Sequence, residues 1–133
     1  MKITIPKKIY DGMIAHAKSG YPNEACGLLA GASGSVGEFY PMRNADNSAI
    51  SYFMEPKEQL QIFKKMRQLS LEMRGIFHSH VSSEAYPSQK DVRLAFYPDV
   101  SYLIASLSDL ERPVLRSFRI ADEKVTEEEV QIV

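Results

Sequence analysis

The chain reads as an α/β (α+β) protein, with one mixed central β-sheet and helices packed against it. Three observations predict this. Short runs of alternating or continuous apolar residues, bounded by Gly, Pro, Asn and Ser, recur along the chain. Two longer stretches carry apolar residues at three- and four-residue spacing instead. The two kinds of segment interleave, which favours a layered sheet over a pure sandwich or bundle. With 133 residues and no repeat, linker or low-complexity segment, a single domain over residues 1–133 is expected.

Each element has its own reason. Ile3 and Ile5 alternate with Lys2 and Thr4, a short strand. Pro6 suits the first turn of a helix, because its missing N–H costs nothing there. Ile9, Met13 and Ala17 recur every four residues, and Gly20 is placed to end that helix. Cys26 to Ala30 is a short apolar run, a buried strand. Gly31 to Gly34 is a turn, and Val36 to Arg43 is the returning arm of a hairpin. Asn44 to Ser48 is a polar loop, and Ser51 to Met54 is expected to be a strand. Pro56 opens a second helix, with Leu60, Phe63, Met66, Leu69 and Met73 as its apolar stripe. Gly75, Ile76 and Phe77 lead a strand into His78. A small, polar loop spans Val81 to Pro87, and a third helix is expected from Ser88 to near Pro98. Val100 to Leu107 is almost continuously apolar, as a strand covered on both faces would be. Pro113 to Ile120 and Val125 to Val133 close the chain as strands, with Glu127, Glu128 and Glu129 expected on an exposed, charged edge.

Composition narrows the function. The net charge is −1, which argues against nucleic acid, since that partner needs a basic face. No run approaches the ~18 apolar residues of a membrane span. The first residues are too few and too polar for a signal peptide. The one cysteine, Cys26, permits no intrachain disulfide. A cytoplasmic protein is the expectation. Cys26 lies in an apolar run with no base beside it, so burial rather than nucleophilic chemistry is expected. His16 is expected to face solvent from the first helix.

The chemistry concentrates in His78-Ser79-His80, then Ser88, then Asp91, with Glu24 far upstream. Alternate side chains of a strand share a face, so His78 and His80 can converge on one ion. Zinc takes neutral imidazole nitrogen and carboxylate oxygen at about 2 Å, and a catalytic site keeps one position open for water. Asp91, one turn into a helix that folds back over the strand, is the candidate third ligand. Such an ion polarises water, and a carboxylate must then move its proton to the leaving amine. Glu24, at the mouth of the Cys26 strand, is the candidate base. The Ser88 hydroxyl is a candidate donor to the developing oxyanion. Ser88-Gln89-Lys90-Asp91 is also a helix capping box, with Ser at the N-cap and an acid three residues on.

The pattern Glu … His-x-His-x7-Ser-x2-Asp, met in full by Glu24, His78, His80, Ser88 and Asp91, resembles the JAMM (MPN-plus) metalloproteases. The flanking Pro22-x-Glu24-x-Cys26-Gly27-Leu28-Leu29 and Ser101 to Leu107 carry the likeness further. The resemblance implies the cytidine-deaminase-like MPN fold, one Zn2+ ion, and hydrolysis after the Gly-Gly tail of a ubiquitin-like or sulfur-carrier protein. A homodimer is compatible with it. Val81 stands where many members have proline, so a more mobile loop is expected there. With His16 the only other histidine and Cys26 the only cysteine, a second structural zinc is not expected.

Two other readings compete. Some MPN domains lack the ligands and serve as scaffolds, but here all five positions are filled. His78-x-His80-x3-Glu84 resembles half of a cupin metal motif, yet no histidine follows His80.

Overall fold

In the computed structural model, which describes residues 1–133, ten elements follow one another. They are β1 (Lys2–Ile5), α1 (Lys7–Gly20), β2 (Cys26–Gly31), β3 (Glu38–Met42) and α2 (Pro56–Gln68), then β4 (Glu72–His80), α3 (Gln89–Arg93), β5 (Ser101–Ser106), β6 (Val114–Ala121) and β7 (Lys124–Ile132). The strands form one sheet in the order β1-β7-β6-β5-β4-β2-β3. β1 with β7 and β4 with β5 are parallel, and the other pairs are antiparallel. The expected mixed sheet is therefore present.

Alternation along each strand divides the core between the two faces. Leu29, Phe77, Leu103 and Ala105 pack with Ile5 and with Met13 and Ala17 of α1. Leu28, Ile76, Ile104 and Phe118 face the other way and pack with Met66, Ile62 and Phe63 of α2. β5 is buried along its whole length, as its apolar run requires. No helix is long and apolar enough to cross a membrane.

Five expectations fail, each for a tertiary or local reason. Ser51 to Met54 is not a strand; it contributes only a bridge between Asn44 and Met54. The Asn44 side chain takes up the Ser51 carbonyl and the Phe53 amide that a ladder would use. The second helix stops at Gln68, because Ser70 adopts a left-handed φ of 55° and the Leu71 amide turns back to Met66. Met73 consequently lies in β4, and Leu60 and Leu69 are over half exposed. The third helix is a single turn ending at Arg93, since the next segment is held by a Tyr97 amide bond to the Tyr102 hydroxyl.

β7 is not an edge, because β1 pairs with its outer side. Glu127 and Glu129 are exposed, but Glu128 points inward and is buried. Its Oε1 accepts from the Ser101 and Ser117 hydroxyls, and its Oε2 lies 3.5 Å from Arg119 Nε. His16, finally, is half-buried: its Nε2–H donates to the Cys26 carbonyl at 2.9 Å, which ties α1 to β2.

Candidate metal centre

The site begins with strand register. Cys26 stands opposite His78 across the antiparallel β2–β4 pair. One residue further out, Ser79 N–H donates to the Ala25 carbonyl (2.9 Å) and the Ala25 N–H donates to Ser79 Oγ (2.8 Å). The next residue on β2's side is Glu24, close enough for the His80 and Asp91 charges to act on its carboxyl. A residue more than fifty positions upstream of the histidine pair thus joins them through one strand pairing. Glu24 is buried, at 7% exposure.

His78 and His80 point to the same face at the end of β4, as alternation predicts, and both are buried. Their Nε2 atoms are 3.0 Å apart, and each lies 3.2 Å from Asp91 Oδ2. The His80 tautomer is set by Nδ1–H, which donates to the Glu84 carbonyl at 2.8 Å. His80 Nε2 is then an acceptor, facing another ring nitrogen and a carboxylate oxygen. With His78 in its Nδ1–H tautomer as well, all three atoms offer a lone pair to a cation placed between them. Tetrahedral zinc with bonds of about 2.0–2.1 Å holds its ligands about 3.3 Å apart, close to the spacings here. These residues fit one metal ion.

α3 delivers Asp91 through its N-terminal cap. Ser88 Oγ accepts from the Asp91 N–H (3.1 Å), and Asp91 Oδ2 accepts from the Ser88 N–H (2.9 Å). The capping box is therefore complete. The same Oδ2 faces both histidines, so cap and candidate ligand are one atom. Ser88 Oγ is used here as an acceptor on an exposed residue, which leaves its hydroxyl hydrogen available to a ligand.

Electrostatics separates the two carboxylates. Burial, reinforced by the Asp91 charge, pushes Glu24 up to about 7 against the opposing pull of His80 and Lys90. Burial acts on Asp91 in the same sense, but the His78 and His80 imidazoles against its carboxylate and the Ser88 amide outweigh it and hold Asp91 well below the usual carboxylate range. Burial lowers His78. For His80 burial pulls down, and contacts with Asp91 and the Glu84 carbonyl prevail and raise it. One acid is thus held ionised while the other stands ready to exchange a proton near neutrality.

Burial pushes the Cys26 thiol up to about 12, so it is not a nucleophile. Glu84, the extra ligand of the cupin-like reading, offers His80 its backbone carbonyl rather than its carboxylate.

Three contributors escaped the sequence reading. Tyr52 stacks on His78 with ring centroids 4.5 Å apart and planes 24° from parallel. Asn44 binds the Glu24 carbonyl through Nδ2 at 3.0 Å. Ser79 holds Ala25, as described. Only Ser79 left a signal: between two residues that share a face, it had to point to the opposite one. Beside Asp91 and Tyr52 opens a groove of about 320 Å³, lined also by Ile50, Phe53, Leu94 and Phe96.

Known proteins resemble this chain in sequence and fold. The model of prokaryotic homologs of the JAB domain matches residues 6–121. The CysO-cysteine peptidase of Mycobacterium tuberculosis is 42% identical over 133 residues, covering 98% of this chain and 91% of that one. A desampylase of Haloferax volcanii is 30% identical over 112 residues, 79% of this chain and 81% of its own. The solution structure of protein DSY2949 from Desulfitobacterium hafniense superposes with a TM-score of 0.89 at 44% identity, covering 100% of this chain and 93% of that one. The chain belongs to the family of prokaryotic homologs of the JAB domain.

Proposed function

We propose that the chain is a zinc-dependent peptidase that cuts the amide bond after the C-terminal Gly-Gly of a small ubiquitin-like or sulfur-carrier protein. The observation that carries this reading is the convergence of three ligand-type atoms from His78, His80 and Asp91 beside a buried Glu24 poised near neutrality. The names of the relatives, a CysO-cysteine peptidase and a desampylase, support the hydrolytic part. The Gly-Gly carrier rests on the JAMM resemblance together with those names.

His78, His80 and Asp91 would hold the ion. When bound, zinc supplies a Lewis acid for the carbonyl and brings the pKa of water down toward ~7. Glu24 takes the proton of the attacking water and returns it to the leaving amine nitrogen as the C–N bond breaks. The Ser88 hydroxyl donates its free hydrogen to the carbonyl oxygen as negative charge gathers there. The base comes from the mouth of β2, two ligands from the end of β4, and the third ligand and the donor from the start of α3, so the geometry survives only in the folded chain. The single, buried Cys26 suits a reducing cytoplasm. A homodimer is part of this reading by family likeness, and sedimentation of the purified protein tests it.

The test is turnover of a Gly-Gly-extended carrier, once with a single residue after the glycines and once with a lysine isopeptide. Cleavage should stop with a strong chelator and return with zinc. Chelator-insensitive cleavage would overturn the zinc mechanism, and no cleavage of either substrate would overturn the carrier assignment.

A further inference from the structure

The loop from Asn44 to Met54 is polar and irregular, yet it reaches both halves of the candidate site. Its organising group is the side-chain amide of Asn44, which is buried. Nδ2 donates to the Glu24 carbonyl (3.0 Å) and to the Ser51 carbonyl (2.9 Å). Oδ1 accepts from the Asp46 amide (3.0 Å) and the Phe53 amide (3.0 Å). Two donors and two lone pairs are the full capacity of a carboxamide, so every site on it is used. On the other side of Glu24, its N–H donates to the Ser48 carbonyl at 2.8 Å. The backbone of Glu24 is therefore gripped on both sides by this one loop.

The other end of the network matters equally. Ser51 and Phe53, both bound by Asn44, flank Tyr52. The Tyr52 ring lies against His78 at 4.5 Å. Asn44 thus touches neither the ligand set nor the candidate base carboxylate, but it holds the backbone that carries Glu24 and the backbone that carries Tyr52, whose ring lies against His78.

We propose that Asn44 is a positioning residue that fixes Glu24 directly and His78 through Tyr52 in one mutual geometry. This rests on the reading of Glu24 as base and His78 as ligand. A buried network of this kind is stiff only when every member is satisfied. Removing the amide orphans two carbonyls and two N–H groups together, which frees the loop rather than one bond. Placement errors near 1 Å are costly to reactions of this type.

The experiment compares the parent with N44A, N44D, Y52F and Y52L, each well below its melting temperature. Zinc affinity is measured by chelator competition on the metal-free protein, and kcat and KM on the Gly-Gly-extended carrier. N44A should lower kcat by about tenfold or more with KM within about twofold, and weaken zinc binding by about tenfold. N44D keeps the Oδ1 acceptor and loses both Nδ2 donors, to Glu24 and to Ser51, so its kcat and zinc affinity should fall as well; it decides the positioning role if N44A does not fold. Y52F keeps the stack and should bind zinc like the parent, whereas Y52L should bind several-fold more weakly. A merely structural loop staple would lower melting temperature and leave kcat and zinc affinity alone. Asn44 variants that fold, melt lower and match the parent in both would overturn the positioning role. A parent chain that neither binds zinc nor cleaves the carrier would overturn the peptidase reading, and the positioning role with it.

Discussion

The Ser79 hydroxyl accepts the Ala25 N–H at 2.8 Å, with the reciprocal Ser79 N–H to Ala25 carbonyl bond at 2.9 Å. Through that pair the serine between the two histidines also places the glutamate. Ser79 is fully buried, so S79A leaves the Ala25 amide without a partner. The expected cost is about 1–3 kcal/mol of stability, read from urea melts. Turnover should fall while zinc stoichiometry stays near one, because His78 and His80 are not touched. Parent-like turnover in S79A would show that Glu24 does not depend on this latch.

Glu24 should make the metal-free protein less stable as pH rises. Its carboxyl has a folded-state pKa of about 7, against an ordinary 4.5. The folded state therefore binds more protons than the unfolded state between those values. The contribution is fully present below about pH 4.5 and is lost as pH rises through about 7. E24Q cannot ionise, so above pH 7 it should be more stable than the parent by up to about 3 kcal/mol. Denaturant melts of the chelated proteins at pH 5 and pH 8 check the sign. Turnover should be abolished by the same change, with zinc retained.

Asp91 serves two masters, and its variants should separate from those of His80. Oδ2 closes the α3 capping box and faces both imidazoles. D91A should lose zinc and also destabilise the chelated protein by about 1 kcal/mol, the usual worth of a cap. H80A should lose zinc without touching the cap. Adding chelator should lower the parent's melting temperature and leave both variants unchanged, because they have no bound ion to lose. Stoichiometric zinc in both variants would overturn the ligand set.

Lys90 lines the apolar groove beside Asp91, and its charge pulls Glu24 toward ionisation. In K90M that pull is gone, and the Glu24 carboxyl should ionise at higher pH. The acid limb of kcat/KM should move to higher pH than in the parent, with the plateau little changed. An unmoved limb would mean that Lys90 is screened from Glu24 in the working enzyme.

Much of this was legible because it is local. His78 and His80 share a face through strand alternation, and Ser88 with Asp91 spells a capping box through the helical repeat. The apolar run at β5 announced a strand covered on both sides. Boundaries were harder. Met73 looked helical by spacing, and only the left-handed turn at Ser70 moved it into β4. Ser51 to Met54 looked like a strand, and a side chain seven residues away captured its backbone instead. Glu128 sat in a run of three acids that reads as solvated surface. The β6–β7 register sets it opposite Ser117, on the buried face, where it meets Ser101 and Ser117.

The mixed sheet, the histidine pair, the capped aspartate and the kind of chemistry they suit can all be read from the residue order. These depend on neighbours within a few residues, where covalent geometry and repeat leave little freedom. It took the folded chain to bring Glu24 within reach of the His80 and Asp91 charges, to lay Tyr52 on His78, and to join the two through Asn44. Those contacts span tens of residues and follow from which strands pair and in what register. The fold then sets the proton affinities: burial lifts Glu24 toward neutrality, while the imidazoles and the Ser88 amide beside Asp91 outweigh its burial and hold it ionised.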